Sequence, residues 1–172
     1  LRREGEVAQV IIPTGTAADV AALPTVQLLA RFRRGIGNID SRVFELSHEQ
    51  LDCAFLPEAG VGRWSCRVLL GHLADAELAS SHRVRRALGE ENPVLSLWDE
   101  DSFIDQGLYA LPAKPAGGDP ASLIGGFVAV VHTLRMWSFQ FLAEISDAQW
   151  ARQAMHPVRG AMNVRQIVAM NT

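Results

Sequence analysis

The stretch Trp64–Gly89, WSCRVLLGHLADAELASSHRVRRALG, decides the fold. Leu69, His72, Ala76, Ala79, Arg83 and Arg86/Ala87 recur three or four residues apart, which predicts a long amphipathic helix with that stripe turned toward partner helices. Ser65 precedes the helical run as an N-cap, and Gly89 follows its last basic turn as a C′ residue. One residue on the stripe is out of keeping, His72. An imidazole on a buried seam needs a partner, because an unpaired buried polar group costs about 1–3 kcal/mol. Two readings meet that need: a core histidine bonded to a neighbouring carbonyl or hydroxyl, or a ligand to a metal ion.

Outward toward the N-terminus, Pro57 and Gly60-Val-Gly62 form a loop. Ser47-His-Glu-Gln50 has the form of a capping box and starts a short helical turn, with His48 exposed in it. Before that, Val26, Leu29, Phe32, Ile36, Ile39, Val43 and Leu46 predict a first long helix over 24–46, entered at Pro24. Gly35 and Gly37 weaken it by about 1 kcal/mol each relative to Ala, or admit a close neighbour. Residues 1–23 read as an N-terminal arm, with Val7–Ile12 a short strand or extended segment.

Outward toward the C-terminus, residues 90–120 are rich in Pro and Gly and hold no sustained period. They predict a long crossover with a short helical turn around Trp98–Gln106, and its Asp99, Glu100, Asp101 and Asp105 read as solvated loop. Asp119-Pro120 opens a third long helix over 120–146, patterned on Phe127, Val131, Leu134, Ser138, Phe141 and Ile145. Residues 147–162 read as a connector. A fourth helix opens at Asn163, shows Val164, Ile167 and Val168, and stops in mid-pattern at Thr172, so the natural chain is expected to continue. The whole predicts an all-α four-helix bundle over residues 24–172, with a long crossover between the second and third helices.

The totals agree with one globular domain: 172 residues, 48% hydrophobic and 20% charged. A net charge of −3 gives no electrostatic grip on nucleic acid or an anionic membrane. No apolar run approaches the roughly 20 residues of a membrane span. No signal peptide is visible, and Cys53 and Cys66 read as reduced thiols of a cytoplasmic protein.

No phosphate loop, nucleophile elbow, His-x-x-Glu-His or Cys-x-x-Cys occurs. Asp75, three residues after His72, can share its helix face and accept the imidazole N–H, or pair with Arg67. Glu77 reads as solvent-facing. Arg83 on the stripe, and Arg135 beside the seam of the third helix, either bind a carboxylate within the bundle or line a pocket for an acidic ligand. His82, His132 and His156 show no spacing that indicates coordination, and the tryptophans read as packing anchors.

Taken together, Trp64-Ser65, Gly71-His72-Leu73, Asp75, Glu77 and Arg83 resemble the second helix of the DinB-like (DinB/YfiT) superfamily of metal-dependent proteins. Trp98-Asp-Glu-Asp101, Tyr109, Phe127, Leu134-Arg135, His156, Gly160 and Asn163-Val164 follow in the family's order, so the resemblance covers residues 24–172. It implies a bundle that holds a divalent ion, nickel or zinc, through three histidines. The first matches His72; the other two form a His-x-x-x-His pair on the last helix, expected at or just after the position following Thr172. Relatives of this kind include thiol S-transferases that use low-molecular-weight thiols, bacillithiol or mycothiol. The resemblance therefore implies a metal-dependent hydrolase or thiol transferase acting on a small-molecule substrate. The competing reading is a non-catalytic bundle that serves binding or dimerisation, with His72 a satisfied core residue. The acidic loop and the apolar helix faces leave a homodimer open.

Overall fold

In the computed structural model, which describes residues 15–53, 64–110 and 120–172, side-chain caps set where most helices begin. Thr16 caps α1 (Ala17–Ala21), Ser47 caps α3 (His48–Asp52) and Ser65 caps α4 (Cys66–Gly89). Between the first two lies α2 (Thr25–Arg34), entered at Pro24. Asp99 caps α5 (Glu100–Asp105), α6 spans Pro120–Leu142, and Ser146 caps α7 (Asp147–Trp150). A hairpin of β1 (Gln153–His156) and β2 (Gly160–Asn163) follows, and Asn163 then caps α8 (Val164–Ala169) in a capping box with Gln166. Each such cap satisfies an otherwise orphaned backbone N–H and stabilises its helix by about 1 kcal/mol.

The bundle consists of α2, α4, α6 and α8. Leu28 and Phe32 of α2, Val84 and Ala87 of α4, Leu142 of α6 and Ile167 of α8 meet in the main core, which also takes in Val20 of α1 and Trp150. A smaller core gathers Val43, Leu51, Leu70 and Ile124 at the other end. The crossover starts by pairing with the hairpin: Met155 N–H donates to the Pro93 carbonyl and Leu95 N–H to the Met155 carbonyl, each at 2.8 Å.

The structure corrects several expectations. The first long helix ends at Arg34 and gives way to 3-10 turns at Gly35–Asn38 and Ser41–Glu45. The buried Arg135 guanidinium fills the space that a Cβ at Gly35 would need, so this glycine serves a close approach. Residues 147–162 are not a bare connector but a helical turn and a hairpin, the turn residues Pro157–Arg159 being closed by Gly160 at φ +77°. Gly89 is the last helical residue, and Glu90 caps α4. The Val7–Ile12 segment and Asp119 lie outside the described residues.

The largest correction concerns the register of α4. Its most buried side is Arg67, Leu70, Gly71, Ala74, Glu77, Ser80, Ser81, Val84 and Ala87, one to two positions away from the expected stripe. That side carries paired polar groups where apolar ones were sought. Glu77 is only 1% exposed and pairs with Arg135 of α6 rather than facing solvent. Ser81 and Ser138 share a hydrogen bond of 3.1 Å between α4 and α6. Arg67 binds Asp52 and reaches Nδ1 of His48 at 3.2 Å, so His48 belongs to a polar cluster and is half-buried. The expected stripe, His72, Ala76, Ala79 and Arg83, faces the crossover instead and lines the cavities beneath it.

Candidate functional site

Gly71 explains how the crossover comes down on α4. A Cβ there would sit 2.8 Å from Cγ and 2.9 Å from Cε1 of Tyr109, so only glycine lets that ring lie against the helix. One turn on, Asp75 Oδ2 accepts the Tyr109 hydroxyl at 2.7 Å. Burial, reinforced by the Asp75 carboxylate, pushes the Tyr109 phenol above its usual range and keeps it a donor. Further along, Arg83 donates to the Ser96 carbonyl at 2.7 Å and Arg86 to the Val94 carbonyl at 2.7 Å. These ties hold Trp98 and Glu100 over His72.

His72 lies between two indoles. Its ring centroid is 4.7 Å from that of Trp64 and 5.3 Å from that of Trp98, the latter stacked at 27°. Its Nδ1 is buried, has no hydrogen-bond partner among the described residues, and stands 3.6 Å from Glu100 Oε2. The ring opens on a cavity of about 190 Å³. Ala76, Ser80 and Arg83 of α4 form one wall, Leu95, Trp98 and Glu100 of the crossover a second. The hairpin adds His156 and Met162, and the α8 end adds Ile167, Met170 and Asn171. A neighbouring cavity of about 320 Å³, lined by Leu78, Leu97 and Phe103 among others, shares Arg83 and Trp98 with the first.

His156 is 7% exposed, and its Nδ1 accepts the N–H groups of Val158 and Arg159, each at 3.2 Å. Burial first, then the charges of Arg83 and Arg159, hold its pKa below the ordinary histidine value. The imidazole is therefore neutral at pH 7, with its proton on Nε2. Arg83 is half-buried, and burial alone lowers its pKa; no described carboxylate pairs with it.

A metal ion can be weighed against these donors. Nδ1 of His72 faces the Glu100 carboxylate at 3.6 Å, as the N–H of a histidine ligand commonly faces the acceptor that orients it, which leaves Nε2 as the nitrogen for an ion. A structural or catalytic zinc takes three or four protein ligands, and among the described residues no group of three His, Cys, Asp or Glu comes together. The described residues thus fit the beginning of a donor set.

The DinB superfamily family model matches residues 31–172. The chain belongs to the DinB superfamily. It is 25% identical over 126 residues to a candidate metal-dependent hydrolase of Oceanobacillus iheyensis, a match that covers 73% of this chain and 64% of that relative. The chain thus spans less than two thirds of the length of the curated relative it matches. Among solved structures it is similar to YfiT from Bacillus subtilis, described as a probable metal-dependent hydrolase with an unusual four-helix bundle topology. That likeness has a TM-score of 0.69 at 20% identity and covers 86% of this chain and 77% of the other. The four-helix-bundle fold and the long crossover expected of a DinB-superfamily member are both present.

Within this DinB-superfamily fold, His72 and Arg83 meet at one cavity. Asp75 does not turn to His72: its carboxylate holds Tyr109, and Glu100 is the acid beside the imidazole. Arg135 is not at the cavity. Its Nε and Nη2 bind Glu77, Nη2 also binds the Asn171 carbonyl and Nη1 the Phe32 carbonyl, which leaves no nitrogen for a ligand. His156 and Glu100 were missed as cavity residues. The signal for His156 lay in Gln153-Ala-Met-His156 and Gly160-Ala-Met-Asn163, two four-residue segments around a Pro-to-Gly turn, which is a hairpin pattern. Among the described residues no helix is long and apolar enough to cross a membrane.

Proposed function

We propose that this chain is a divalent-metal-binding protein of the hydrolase or thiol S-transferase type, with His72 as one ligand and a small molecule as substrate. The observation that carries this is the His72 imidazole at the edge of a cavity, clamped between two indoles with its Nδ1 turned to Glu100, which leaves Nε2 for an ion. The names of the relatives point the same way.

In this reading Glu100 orients the His72 ring, the part first sought from Asp75. Trp64 and Trp98 fix the ring plane and exclude water from it. Asp75 acts at one remove, holding the crossover through Tyr109. Arg83 faces both cavities and binds the substrate. A bound nickel or zinc ion would supply Lewis acidity for hydrolysis or for attack by a thiol such as bacillithiol or mycothiol.

The test is metal analysis of the full-length protein and of His72→Ala. Stoichiometric nickel or zinc that is lost in the variant supports the reading. A folded full-length protein that takes up neither ion would leave the bundle as a binding or dimerisation module. Turnover of ester or amide substrates against thiol-dependent turnover of an electrophile then separates the hydrolase from the transferase.

A further inference from the structure

Arg83 and His156 approach the same cavity from opposite elements, α4 and the hairpin. Each has part of its hydrogen-bonding capacity committed and one donor nitrogen left over. Arg83 spends Nε and Nη2 on the Ser96 carbonyl, and Nη1 has no partner among the described residues. His156 spends Nδ1 as an acceptor for two turn N–H groups, which assigns the proton to Nε2, and Nε2 has no partner there either. A half-buried guanidinium without a counter-ion is costly, and an anion in the cavity relieves that cost while accepting from His156 as well.

We propose that Arg83 and His156 form an anion-binding corner of this cavity that receives a carboxylate of the ligand, held between the free Nη1 of Arg83 and Nε2 of His156. This deepens the functional reading above and rests on it only for the location of the ligand. Among the described residues the only carboxylate lining the cavity is Glu100, and it lies beside His72. Two N–H donors lining one cavity match the two oxygens of a carboxylate, and the remaining wall of Leu95, Met162 and Ile167 suits its carbon chain. The ligand class is therefore a small carboxylic acid whose reactive end reaches toward His72.

The test uses the full-length protein with a chelator present, so that its outcome is independent of metal. Propionate is titrated against propionamide and inorganic phosphate, with the histidine ring nitrogens followed by long-range proton–nitrogen NMR. The expected result is an Nε2–H tautomer for His156 in the free protein and a saturable shift of that ring with propionate alone. Arg83→Gln and His156→Gln should each weaken propionate about tenfold. The tautomer and the propionate–propionamide comparison need no variant, so a misfolded substitution does not decide the matter. An Nδ1–H tautomer, equal response to propionamide, stronger binding of phosphate, or unchanged affinity in a well-folded Arg83→Gln each overturns the proposal. A protein that binds zinc but ignores propionate refutes this corner alone, and one that binds propionate but no metal refutes the metal reading alone.

Discussion

At the scale of single residues, the site depends on groups whose partners are few. Glu100 stands 3.6 Å from the His72 imidazole. If it orients that ring, Glu100→Gln should weaken zinc or nickel binding by about 10- to 100-fold while leaving the melting temperature of the metal-free protein nearly unchanged. Calorimetric titration of the chelator-stripped protein checks this, and an unaltered affinity would remove Glu100 from the scheme. Glu77 is a different case. Burial raises its pKa, while Arg135 and Asn171 pull it back by hydrogen bonds and charge. Glu77→Ala leaves the Arg135 guanidinium buried without its counter-ion and should cost about 3–5 kcal/mol in urea unfolding. Glu77→Gln keeps an acceptor and should cost clearly less. Arg135 was placed beside the seam with a carboxylate in the bundle as one of its two readings, but Glu77 was not legible as that partner, because a buried carboxylate looks in sequence like a surface charge.

At the scale of elements, the crossover is the part that function depends on and the part that pattern describes least. Its helical turn at Glu100–Asp105 was legible, because Asp99 caps it in the ordinary way. Its seat was not, since nothing local in Gly71 announces an aromatic ring thirty-eight residues later in the chain. Gly71→Ala forces Tyr109 aside and should destabilise the protein by about 1–3 kcal/mol. Tyr109→Phe removes one hydrogen bond, with a loss of about 1 kcal/mol. In both variants amide hydrogen exchange should quicken over residues 95–109 more than in α6; uniform quickening would mean that the crossover is not held as a unit. The starts of α3, α4 and α8 were read correctly for a physical reason: an N-cap side chain bonds a backbone N–H three residues on, a contact local in the chain. The α4 register was misread because its inner side is built from Gly, Ala and paired Ser, Arg and Glu, whose fit depends on what other helices present.

At the scale of the whole molecule, acid should weaken the fold, and the sign follows from His156. Its pKa in the folded state lies below the ordinary histidine value of 6.5, which approximates the unfolded chain. Between those two values the unfolded chain binds a proton that the folded one refuses, so stability falls as pH falls through that window and levels below it. Asp40, lowered to about 2 beside Arg42, acts in the same direction at more acid pH. Glu77, with its raised pKa, acts oppositely: its contribution is present in acid and lost as pH rises through its folded-state value. Urea midpoints measured from pH 7 to pH 5 should decline, and His156→Gln should flatten that decline. A pH dependence that is the same in His156→Gln would show His156 to be freely protonated. The fold class itself was legible from three helical stretches and their caps, whereas the cavity was not, because its walls come from segments that only the bundle brings together.

The stitch between Pro93, Leu95 and Met155 has a consequence for how the molecule assembles. The cavity is enclosed by α4, the crossover, the hairpin and the end of α8, so it exists only when the latest contacts along the chain have closed. Whatever occupies it binds the folded state and not the unfolded one, and so shifts the folding equilibrium by mass action. Occupancy thereby becomes a clasp: it slows the parting of hairpin and crossover, and the lifetime of the native chain comes to depend on the concentration of its own ligand.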